Sequence, residues 1–330
     1  MPTTRKGFIS GVAVTASLVA AASKVASAKP HPTLRGLTYT TLRTDKGDSL
    51  GIVTSYGIID MVAVNAALNA TAPTTIDDVL AGHGDTEALT RYATLPAGSL
   101  PKGCVKHASD VQFAPAVTRP QKILCVGINY RAHAAETGTQ APTVPELFNK
   151  YNTTLNRHGG TIPVSQTKAT EFDYEAELVM IVGKEARNVP EASALDYVFG
   201  YTTGNDFTAR DLQSRTSQWM LGKTPDLFAP LGPYIVGADL IPDPQTLTIE
   251  CRVNGEVRQH AGTADMVHSC ANILSYASQY ITLHPGDIIF TGTPQGVIIG
   301  YPPDKRVWLK PGDKVETSIS QIGTLDFTLT

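Results

Sequence analysis

The sequence predicts a mostly β protein of the α+β class. Glycine and proline are frequent, with 28 and 22 residues spread along the chain, which favours short strands joined by turns over a helical bundle. From Asp173 onward, only two stretches have clear helical periodicity, TARDLQSR and MVHSCANILSYASQYI. Apolar runs of strand length dominate the C-terminal half: ELVMIVG, YVFGYTTGND, YIVGADLI, LTIECRVNG, DIIFTGTP, DKVETSIS and TLDFTLT.

Length and charge narrow the class of protein. A chain of 330 residues with 42% hydrophobic residues can bury a complete core, and its length predicts two domains. The net charge is −3, and no run of basic residues resembles a nucleic-acid-binding surface. We therefore expect a small molecule as the partner and no nucleic acid.

The first 28 residues have the three parts of an export signal. Arg5 and Lys6 precede an apolar, alanine-rich segment, and small residues up to Ala28 offer a cleavage site. The basic pair resembles a twin-arginine signal in which lysine replaces the second arginine. The alternatives are an uncleaved amphipathic leader and a mitochondrial transit peptide. We expect an exported protein, periplasmic or secreted, without a membrane span, since no later segment has about 18 consecutive apolar residues.

Two regions follow this leader. Residues 34–117 predict a small N-terminal α/β domain, in which LGIVTSYGIIDMVAV is typical of two strands and TTIDDVLAGHG of a short helix with a threonine cap that ends at Gly82. Residues 120–330 predict the catalytic domain, after a linker that contains proline. Between residues 141 and 168 the periodicity is weak, which is typical of an active-site lid.

The stretch DYEAELVMIVG combines a buried strand with two acidic residues. Its apolar run ends at Gly183, whereas Glu175 and Glu177 stand at its start, two residues apart. Side chains at positions i and i+2 of a strand share one face, so the two carboxylates lie side by side next to a core. Such carboxylates repel one another, and a divalent cation with oxygen ligands removes that cost.

A third carboxylate is expected from a neighbouring element. Asp206 follows the strand pattern YVFGYTT and precedes a helix, so it can join Glu175 and Glu177 in an open metal site. In the alternative interpretation, the two glutamates face solvent on an edge strand and Asp206 only shapes a turn. For an isolated Glu-x-Glu pattern this alternative is the more common outcome.

The four cysteines do not predict a metal or redox site. No two of them have the C-x-x-C spacing of a zinc site or a redox dithiol. Cys125 and Cys251 lie in strand-like runs and are expected to be small buried residues.

Seven segments after residue 121 occur in the order found in one enzyme family. They are VGINYRAHAAETG, DYEAELVMIVGKEARNV, YVFGYTTGNDFTARDLQ, GKTPDLFAPLGPYIV, VNGEVRQ, LHPGDIIFTGTPQGV and LKPGDKVE. On these segments the chain resembles the fumarylacetoacetate hydrolase family, which also includes acylpyruvate hydrolases, oxaloacetate decarboxylases and hydroxymuconate-type isomerases. The resemblance implies a rolled mixed β-sheet, a homodimer, and a Mg²⁺ site (with Mn²⁺ or Ca²⁺ as alternatives) at Glu175, Glu177 and Asp206.

Three further residues are candidates for catalysis. His133 and Glu136 are three residues apart on one face of a short helix, so the carboxylate can orient the histidine to take a proton from water. The alternative is a surface pair with no catalytic role. Lys223 resembles the active-site lysine of the family, whose ammonium stabilises an oxyanion or enolate.

Four other residues are candidates for substrate binding. Arg210 and Gln213 can contact substrate or support Asp206, and a buried ion pair of Arg210 is an equal alternative. The hydroxyl of Thr293 in TGTPQG suits a substrate carboxylate, as the resemblance implies, although a plain turn is the alternative. Lys150 stands in LFNKY, where many family members have F-x-K-P, so this lid segment is expected to determine substrate choice.

The resulting hypothesis is a Mg²⁺-dependent hydrolase that cleaves a carbon–carbon bond of a 1,3-dicarbonyl or acylpyruvate-type acid. The metal acts as a Lewis acid, His133 held by Glu136 activates water, and Lys223 stabilises the enolate that leaves. The alternatives on the same site are a decarboxylase and an isomerase of a related 2-oxo or 2-hydroxydienoic acid. An exported small-acid-binding protein is the alternative that is not an enzyme.

Overall fold

The computed structural model describes residues 36–330, which belong to one compact unit. The export signal predicted at residues 1–28 lies outside the described residues.

Strands provide most of the regular structure of the described chain. In chain order they are β1 (Thr38–Thr44), β2 (Gly47–Thr54), β3 (Gly57–Asp60), β4 (Val105–Lys106), β5 (Gln112–Phe113), β6 (Ile123–Gly127), β7 (Glu146–Lys150), β8 (Leu155–Asn156), β9 (Gly160–Ile162), β10 (Phe172–Asp173), β11 (Ala176–Val182), β12 (Val198–Asn205), β13 (Thr208–Ala209), β14 (Ala229–Pro230), β15 (Tyr234–Gly237), β16 (Thr248–Val253), β17 (Glu256–Gly262), β18 (Ile288–Phe290), β19 (Lys314–Ile319) and β20 (Gly323–Leu329).

The α-helices are short by comparison. They are α1 (Met61–Leu68), α2 (Ile76–Ala81), α3 (Glu87–Ala93), α4 (Arg131–Glu136), α5 (Arg210–Gln213), α6 (Met220–Lys223) and α7 (Cys270–Tyr280). The predominance of strands over helices confirms the predicted mostly β class.

Two mixed sheets organise the fold. The larger has the order β4-β3-β2-β1-β15-β12-β11-β18-β6-β7, with β5 also paired to β1, and within it only β18 and β6 are parallel neighbours. The smaller has the order β17-β16-β19-β20-β9, and its parallel pair is β20 with β9. Because β1 pairs with β15, residues of the predicted N-terminal domain share the large sheet with the C-terminal region. The division into domains at residues 34–117 and 120–330 stays a prediction.

Strand β11 lies inside the large sheet, between β12 and β18. Leu178, Met180 and Val182 pack into one hydrophobic core. Val179 and Ile181 pack into a second core on the opposite face. Since both faces are buried, the strand has a continuous apolar run instead of an alternating pattern. The acidic residues at its start are therefore carried into the interior of the protein.

The run LGIVTSYGIIDMVAV folds as two strands only up to Asp60. Strands β2 and β3 form as predicted, but helix α1 begins at Met61, so the prediction is wrong for the last residues of the run. Asp60 is the N-cap, and its Oδ1 accepts hydrogen bonds from the N–H groups of Val62 and Ala63 at 3.0 and 3.2 Å. This cap satisfies N–H groups that lack a partner within the helix, which an apolar pattern alone does not reveal.

Helix α2 has the ends that the sequence predicts. The side chain of Thr75 accepts a hydrogen bond from the N–H of Asp78 at 3.1 Å, as an N-cap does. Gly82 ends the helix with a φ of 70°, a left-handed conformation that glycine adopts without steric cost.

The segment between residues 141 and 168 contains regular structure, so the expectation of a weakly structured segment is wrong, whereas its role as a lid stays a prediction. Strand β7 pairs with β6 over five residues and extends the large sheet. Strands β8 and β9 pair with β14 and β20. Lys150, the last residue of β7, is 3% exposed and points into the protein rather than into a mobile loop.

Two simpler expectations can be compared with the structure. The four cysteines are all buried, which was expected for Cys125 and Cys251. They form no disulfide. Within residues 36–330, no helix is long and apolar enough to cross a bilayer.

Candidate active site

The site is built around the start of strand β11. Glu175 comes immediately before the strand and Glu177 is its second residue, and both are buried. The N–H groups of Glu175 and Ala176 donate to the side-chain oxygens of Asn205 (3.1 Å) and Gln259 (3.0 Å). Two side-chain amides thus hold the backbone that carries the glutamates.

Asp206 completes a cluster of three carboxylates. It directly follows β12, the antiparallel neighbour of β11, and its N–H donates to the carbonyl of Glu175 at 2.9 Å. One carboxylate oxygen from each of Glu175, Glu177 and Asp206 lies within 4.8 Å of the others, and all three residues are buried. The antiparallel pairing of these two strands therefore brings together residues that are about 30 positions apart in the sequence.

Two lysine ammonium groups reach the same cluster. Nζ of Lys223 lies 2.5 Å from Glu175 Oε2 and 2.8 Å from Asp206 Oδ2. Nζ of Lys150 lies 2.5 Å from Asp206 Oδ1 and also donates to the carbonyl of Phe207 at 3.3 Å. Buried cations are stable only when paired in this way.

Arg210 supports the cluster from the other side. Its Nε donates to Asp173 Oδ2 at 2.9 Å, and its second terminal nitrogen lies 2.7 Å from Glu175 Oε1. The first terminal nitrogen of Arg210, Nη1, donates a hydrogen bond to Gln213 Oε1 at 3.0 Å. Asp173, which sequence reasoning did not select, also accepts hydrogen bonds from the N–H groups of Ile298 and Ile299. The side chain of Arg210 is therefore engaged with protein partners, which favours a supporting role over direct contact with substrate.

The pKa values of the two glutamates shift in opposite directions. Burial raises the pKa of Glu175, but the positive charges of Lys223 and Arg210 outweigh burial and lower this pKa to about 2. Burial also raises the pKa of Glu177, and the negative charges of Asp206 and Glu175 raise it further. Glu177 is therefore the carboxylate that lacks compensation for its charge.

The buried charges around the site do not balance. They comprise four carboxylates and three cations, of Asp173, Glu175, Glu177, Asp206, Lys150, Arg210 and Lys223. One negative charge is left over when all of them are ionised, and Glu177 has no cationic partner within 4.0 Å in the described part of the chain. Three clustered carboxylates are the oxygen donors that hard divalent cations prefer, so these residues fit such a cation.

The predicted His133–Glu136 pair is formed and lies at this site. Nδ1 of His133 is 2.8 Å from Glu136 Oε1, and His133 is 7% exposed, so the alternative of a solvated surface pair does not apply. The second oxygen of Glu136 accepts a hydrogen bond from the N–H of Gly296 at 2.9 Å. Glu136 thereby connects helix α4 to the loop that follows β18.

That loop carries Thr293. The N–H of Gly292 donates to Glu177 Oε2 at 2.7 Å, which places the next residue, Thr293, beside the carboxylate cluster. Thr293 is 3% exposed, and its Oγ1 accepts a hydrogen bond from Gln259 Nε2 at 2.8 Å.

The structure brings most of the predicted residues into one cluster of contacts. Gln213 is the most peripheral of them, since among the described residues its only link to the cluster is its bond to Arg210. Sequence reasoning missed Asp173 and Gln259, although DYEAE and VNGEVRQ contain them. Their positions within these two segments were the only feature of the sequence that pointed to a role of Asp173 and Gln259 at the site.

Comparison with known proteins identifies the family. The sequence profile described as "Fumarylacetoacetate (FAA) hydrolase C-terminal" matches residues 122–330, which is more than half of the chain. The chain belongs to the fumarylacetoacetate hydrolase family. The likeness that the seven sequence segments suggested is thereby confirmed.

Relatives within this family include several oxaloacetate tautomerases. The mitochondrial oxaloacetate tautomerase of Xenopus laevis is 40% identical over 220 residues, which cover 66% of this chain and 68% of the relative. Oxaloacetate tautomerase YisK of Bacillus subtilis is 42% identical over 220 residues, or 66% of this chain and 72% of the relative.

Solved structures of the family have the same fold. A putative HpcE protein from Mycobacterium smegmatis is 31% identical, with a TM-score of 0.74 over 88% of this chain and 98% of the other. A fumarylpyruvate hydrolase from Pseudomonas aeruginosa, solved in complex with Mn²⁺ and pyruvate, is 32% identical, with a TM-score of 0.58 over 68% of this chain and 93% of the other. This similarity confirms the fumarylacetoacetate hydrolase-type fold.

The relatives correct the predicted localisation. The oxaloacetate tautomerases of Xenopus laevis and Rattus norvegicus are mitochondrial proteins. The prediction of a periplasmic or secreted protein is therefore wrong. The three-part pattern in residues 1–28 is a weak signal, because mitochondrial transit peptides are likewise basic and poor in acidic residues.

The family and its members show that the protein is an enzyme with a small-molecule substrate. Hydrolases, isomerases and tautomerases all occur among the similar proteins. The predicted homodimer stays a prediction.

Proposed function

We propose that the protein is a divalent-metal-dependent tautomerase that interconverts the enol and keto forms of oxaloacetate or a closely related 2-oxo dicarboxylic acid. The observation that carries this proposal is the His133–Glu136 pair, whose histidine is buried. The pair is linked through the loop Gly292–Gly296 to the cluster of three carboxylates and two ammonium groups. Relatives of 40 and 42% identity are oxaloacetate tautomerases, which supports this substrate.

Glu175, Glu177 and Asp206 are the residues that would hold the cation, with Mg²⁺ as the proposed ion. When bound, a divalent cation supplies Lewis-acid polarisation of the 2-oxo oxygen of the substrate. The uncompensated charge of Glu177 and the separation of 4.8 Å or less between the ligand oxygens support this assignment.

Ketonisation removes the hydroxyl proton of the enol and adds a proton at C3. The reaction therefore needs a group that accepts a proton and returns it. Nδ1 of His133 is hydrogen-bonded to the carboxylate of Glu136, and this contact fixes the orientation of the imidazole ring. Nε2 of His133 is left to exchange a proton with the substrate. We assign this proton transfer to His133 and its orientation to Glu136.

The enolate that forms between the two proton transfers carries negative charge. The ammonium groups of Lys150 and Lys223 lie at the carboxylate cluster, where they can stabilise that charge in a site with little access to water. Arg210 and Gln213 hold Glu175 in place, and the hydroxyl of Thr293 binds a carboxylate of the substrate.

Hydrolysis of an acylpyruvate is the second candidate. The same histidine can activate a water molecule for attack on a carbonyl carbon. The structural similarity to a fumarylpyruvate hydrolase favours this candidate, although the overlap covers 68% of the chain. Decarboxylation of oxaloacetate is an alternative outcome of the same enolate chemistry.

The experiment mixes the enol form of oxaloacetate with the purified enzyme and Mg²⁺, follows the enol by its absorbance, and analyses the product formed in ²H₂O by NMR. We expect faster decay of the enol absorbance, faster incorporation of deuterium at C3, retention of all four carbons, and loss of the effect in EDTA. Cleavage of fumarylpyruvate without acceleration of ketonisation would reject the tautomerase in favour of the hydrolase. Release of pyruvate from oxaloacetate at a rate above that of the divalent cation alone would identify a decarboxylase.

A further inference from the structure

Gln259 is a buried residue outside the predicted site that contacts two parts of it. It lies on β17 of the smaller sheet and is 1% exposed. Its Oε1 accepts a hydrogen bond from the N–H of Ala176 at 3.0 Å, between the two glutamates of β11. Its Nε2 donates to Oγ1 of Thr293 at 2.8 Å and to the carbonyl of Pro294 at 2.7 Å.

The orientation of this amide is fixed by its backbone partners. The N–H of Ala176 can only donate, and the carbonyl of Pro294 can only accept. If the amide oxygen and nitrogen of Gln259 were exchanged, its NH₂ group would face the N–H of Ala176 and its oxygen would face the carbonyl of Pro294. Neither contact could then be a hydrogen bond, and both would be unfavourable. The group that faces Thr293 is therefore an N–H donor.

This orientation determines the role of the Thr293 hydroxyl. Its oxygen accepts from Gln259, so its single proton must point in another direction. Among residues 36–330 that proton has no acceptor. Because Thr293 follows Gly292, which is bonded to Glu177, the free donor lies beside the carboxylate cluster.

The loop that carries Thr293 is pressed against β17 and does not adjust freely. Gly296 has a φ of 100°, and a β-carbon at this position would clash with the carbonyl oxygen of Arg258, the residue before Gln259. The hydroxyl of Tyr174 also donates to the carbonyl of Gly296 at 2.8 Å. The backbone of β17 and the Tyr174 side chain thus restrict how far the loop that carries Thr293 can move from Gln259.

We propose that Gln259 is a positioning residue that makes the Thr293 hydroxyl a dedicated hydrogen-bond donor to the carboxylate of a 2-oxo acid. The inference rests on the proposed function for the class of substrate. Without the N–H of Gln259, the hydroxyl of Thr293 can turn its proton toward Gln259 or Pro294, and the substrate loses a donor.

The test measures pyruvate binding to the Mn²⁺-loaded full chain by calorimetry at pH 8.5. Gln259→Glu keeps an oxygen for Ala176 but replaces both donated hydrogen bonds with an acceptor. Thr293→Val removes the hydroxyl at nearly constant shape. We expect each variant to weaken pyruvate binding about tenfold, which is the lower range for a hydrogen bond to a charged group. The double variant should bind within about twofold of Thr293→Val, since both changes remove the same donor.

Two controls separate this role from a structural one. Gln295→Glu adds a negative charge to the same loop at a partly exposed residue, and it should leave pyruvate affinity within about twofold of wild type. Gln259→Met lacks the donor without adding charge, and it should also weaken pyruvate binding. The affinity for Mn²⁺ alone should not fall in Gln259→Glu, because an oxygen still accepts from Ala176 and the added negative charge does not repel a cation.

The inference would be overturned if Gln259→Glu or Gln259→Met bound pyruvate as tightly as wild type does. It would also be overturned if Gln259→Glu weakened pyruvate binding equally with threonine and with valine at position 293. A parallel loss of Mn²⁺ affinity would show that Gln259 only stabilises the backbone of β11, which would reject the proposal. Absence of pyruvate binding by wild type would also reject it. If wild type binds pyruvate in the expected pattern but does not accelerate ketonisation, the proposed function fails while the role of Gln259 stands.

Discussion

The ammonium group of Lys223 lies 2.5 Å from a carboxylate oxygen of Glu175, and both side chains are buried. The same ammonium lies 2.8 Å from Asp206. One lysine thus compensates two of the three carboxylates proposed to hold the cation. A divalent cation and this ammonium therefore act on the same charges, which makes stability and metal binding interdependent.

Replacement of Lys223 by Met should destabilise the metal-free protein and increase its response to metal. Removing one partner from a buried ion pair leaves an uncompensated charge and costs about 3 kcal/mol. We expect the free energy of unfolding, measured in urea with EDTA, to fall by this amount. On addition of Mn²⁺, the free energy of unfolding should rise more in the variant than in wild type. Lys46→Met, at an exposed residue, is the control. Equal responses of both variants to Mn²⁺ would contradict the interdependence.

Replacement of Glu177 by Gln should remove the metal response and flatten the pH dependence of stability. The folded-state pKa of Glu177 is raised, first by burial and then by Asp206 and Glu175. Stability of the metal-free protein therefore falls as pH rises from the ordinary glutamate value of about 4.3 through the raised value.

We expect this fall to be smaller in Glu177→Gln across roughly pH 5 to 8, because the amide does not ionise. Thermal unfolding in EDTA and in Mn²⁺ measures both effects. Glu256→Gln, whose side chain is 68% exposed, should behave as wild type. Stabilisation of Glu177→Gln by Mn²⁺ to the wild-type extent would refute its role as a ligand.

Replacement of His133 by Ala should slow turnover without loss of metal binding. A positioned acid–base group contributes roughly 10²–10⁴-fold to a rate, so we expect a decrease in kcat of that order. Enol absorbance measures turnover, and calorimetry measures Mn²⁺ affinity. His107→Ala, at an exposed residue, provides the matched control. A variant that keeps wild-type kcat would remove His133 from the mechanism.

Replacement of Asp326 by Asn should destabilise the protein more at neutral pH than at acidic pH. The hydrogen bond from His158 lowers the pKa of the Asp326 carboxyl, burial opposes this, and Lys314 lowers the pKa further. Because the folded-state pKa lies below the unfolded value of about 3.9, the stabilisation is present above that value and is lost as pH falls below it.

We expect Asp326→Asn to lower the unfolding free energy by about 1 kcal/mol at pH 7, since the group is partly exposed, and by less at pH 3. Urea denaturation at both pH values measures the difference. Asp304→Asn, at an exposed residue, should change neither value. A constant difference between pH 7 and pH 3 would show that the charge of Asp326 is not responsible.

Part of the site follows from local pattern. The two-residue period of a strand places Glu175 and Glu177 on one side, and the end of the next strand pattern supplies Asp206. The three-residue spacing in a helix turn brings His133 to Glu136. These relationships depend on backbone geometry within one or two elements, so they are visible in the sequence.

Other features depend on how distant elements pack. Gln259 bonds to Ala176 across 83 positions, and Arg210 bonds to Asp173 across 37, and no local pattern indicates either contact. Lys150 illustrates the same limit, because its strand pairs with β6 and carries a residue predicted for a lid into the interior.

The sequence by itself determined the mostly β class, the family and the acidic and basic residues of the site, because these follow from composition, strand period and ordered motifs. Only the tertiary structure decided which charges compensate one another and which amide orients Thr293. The physical reason is that ion pairs and hydrogen bonds act over about 3 Å, and packing of the two sheets determines which atoms approach that closely.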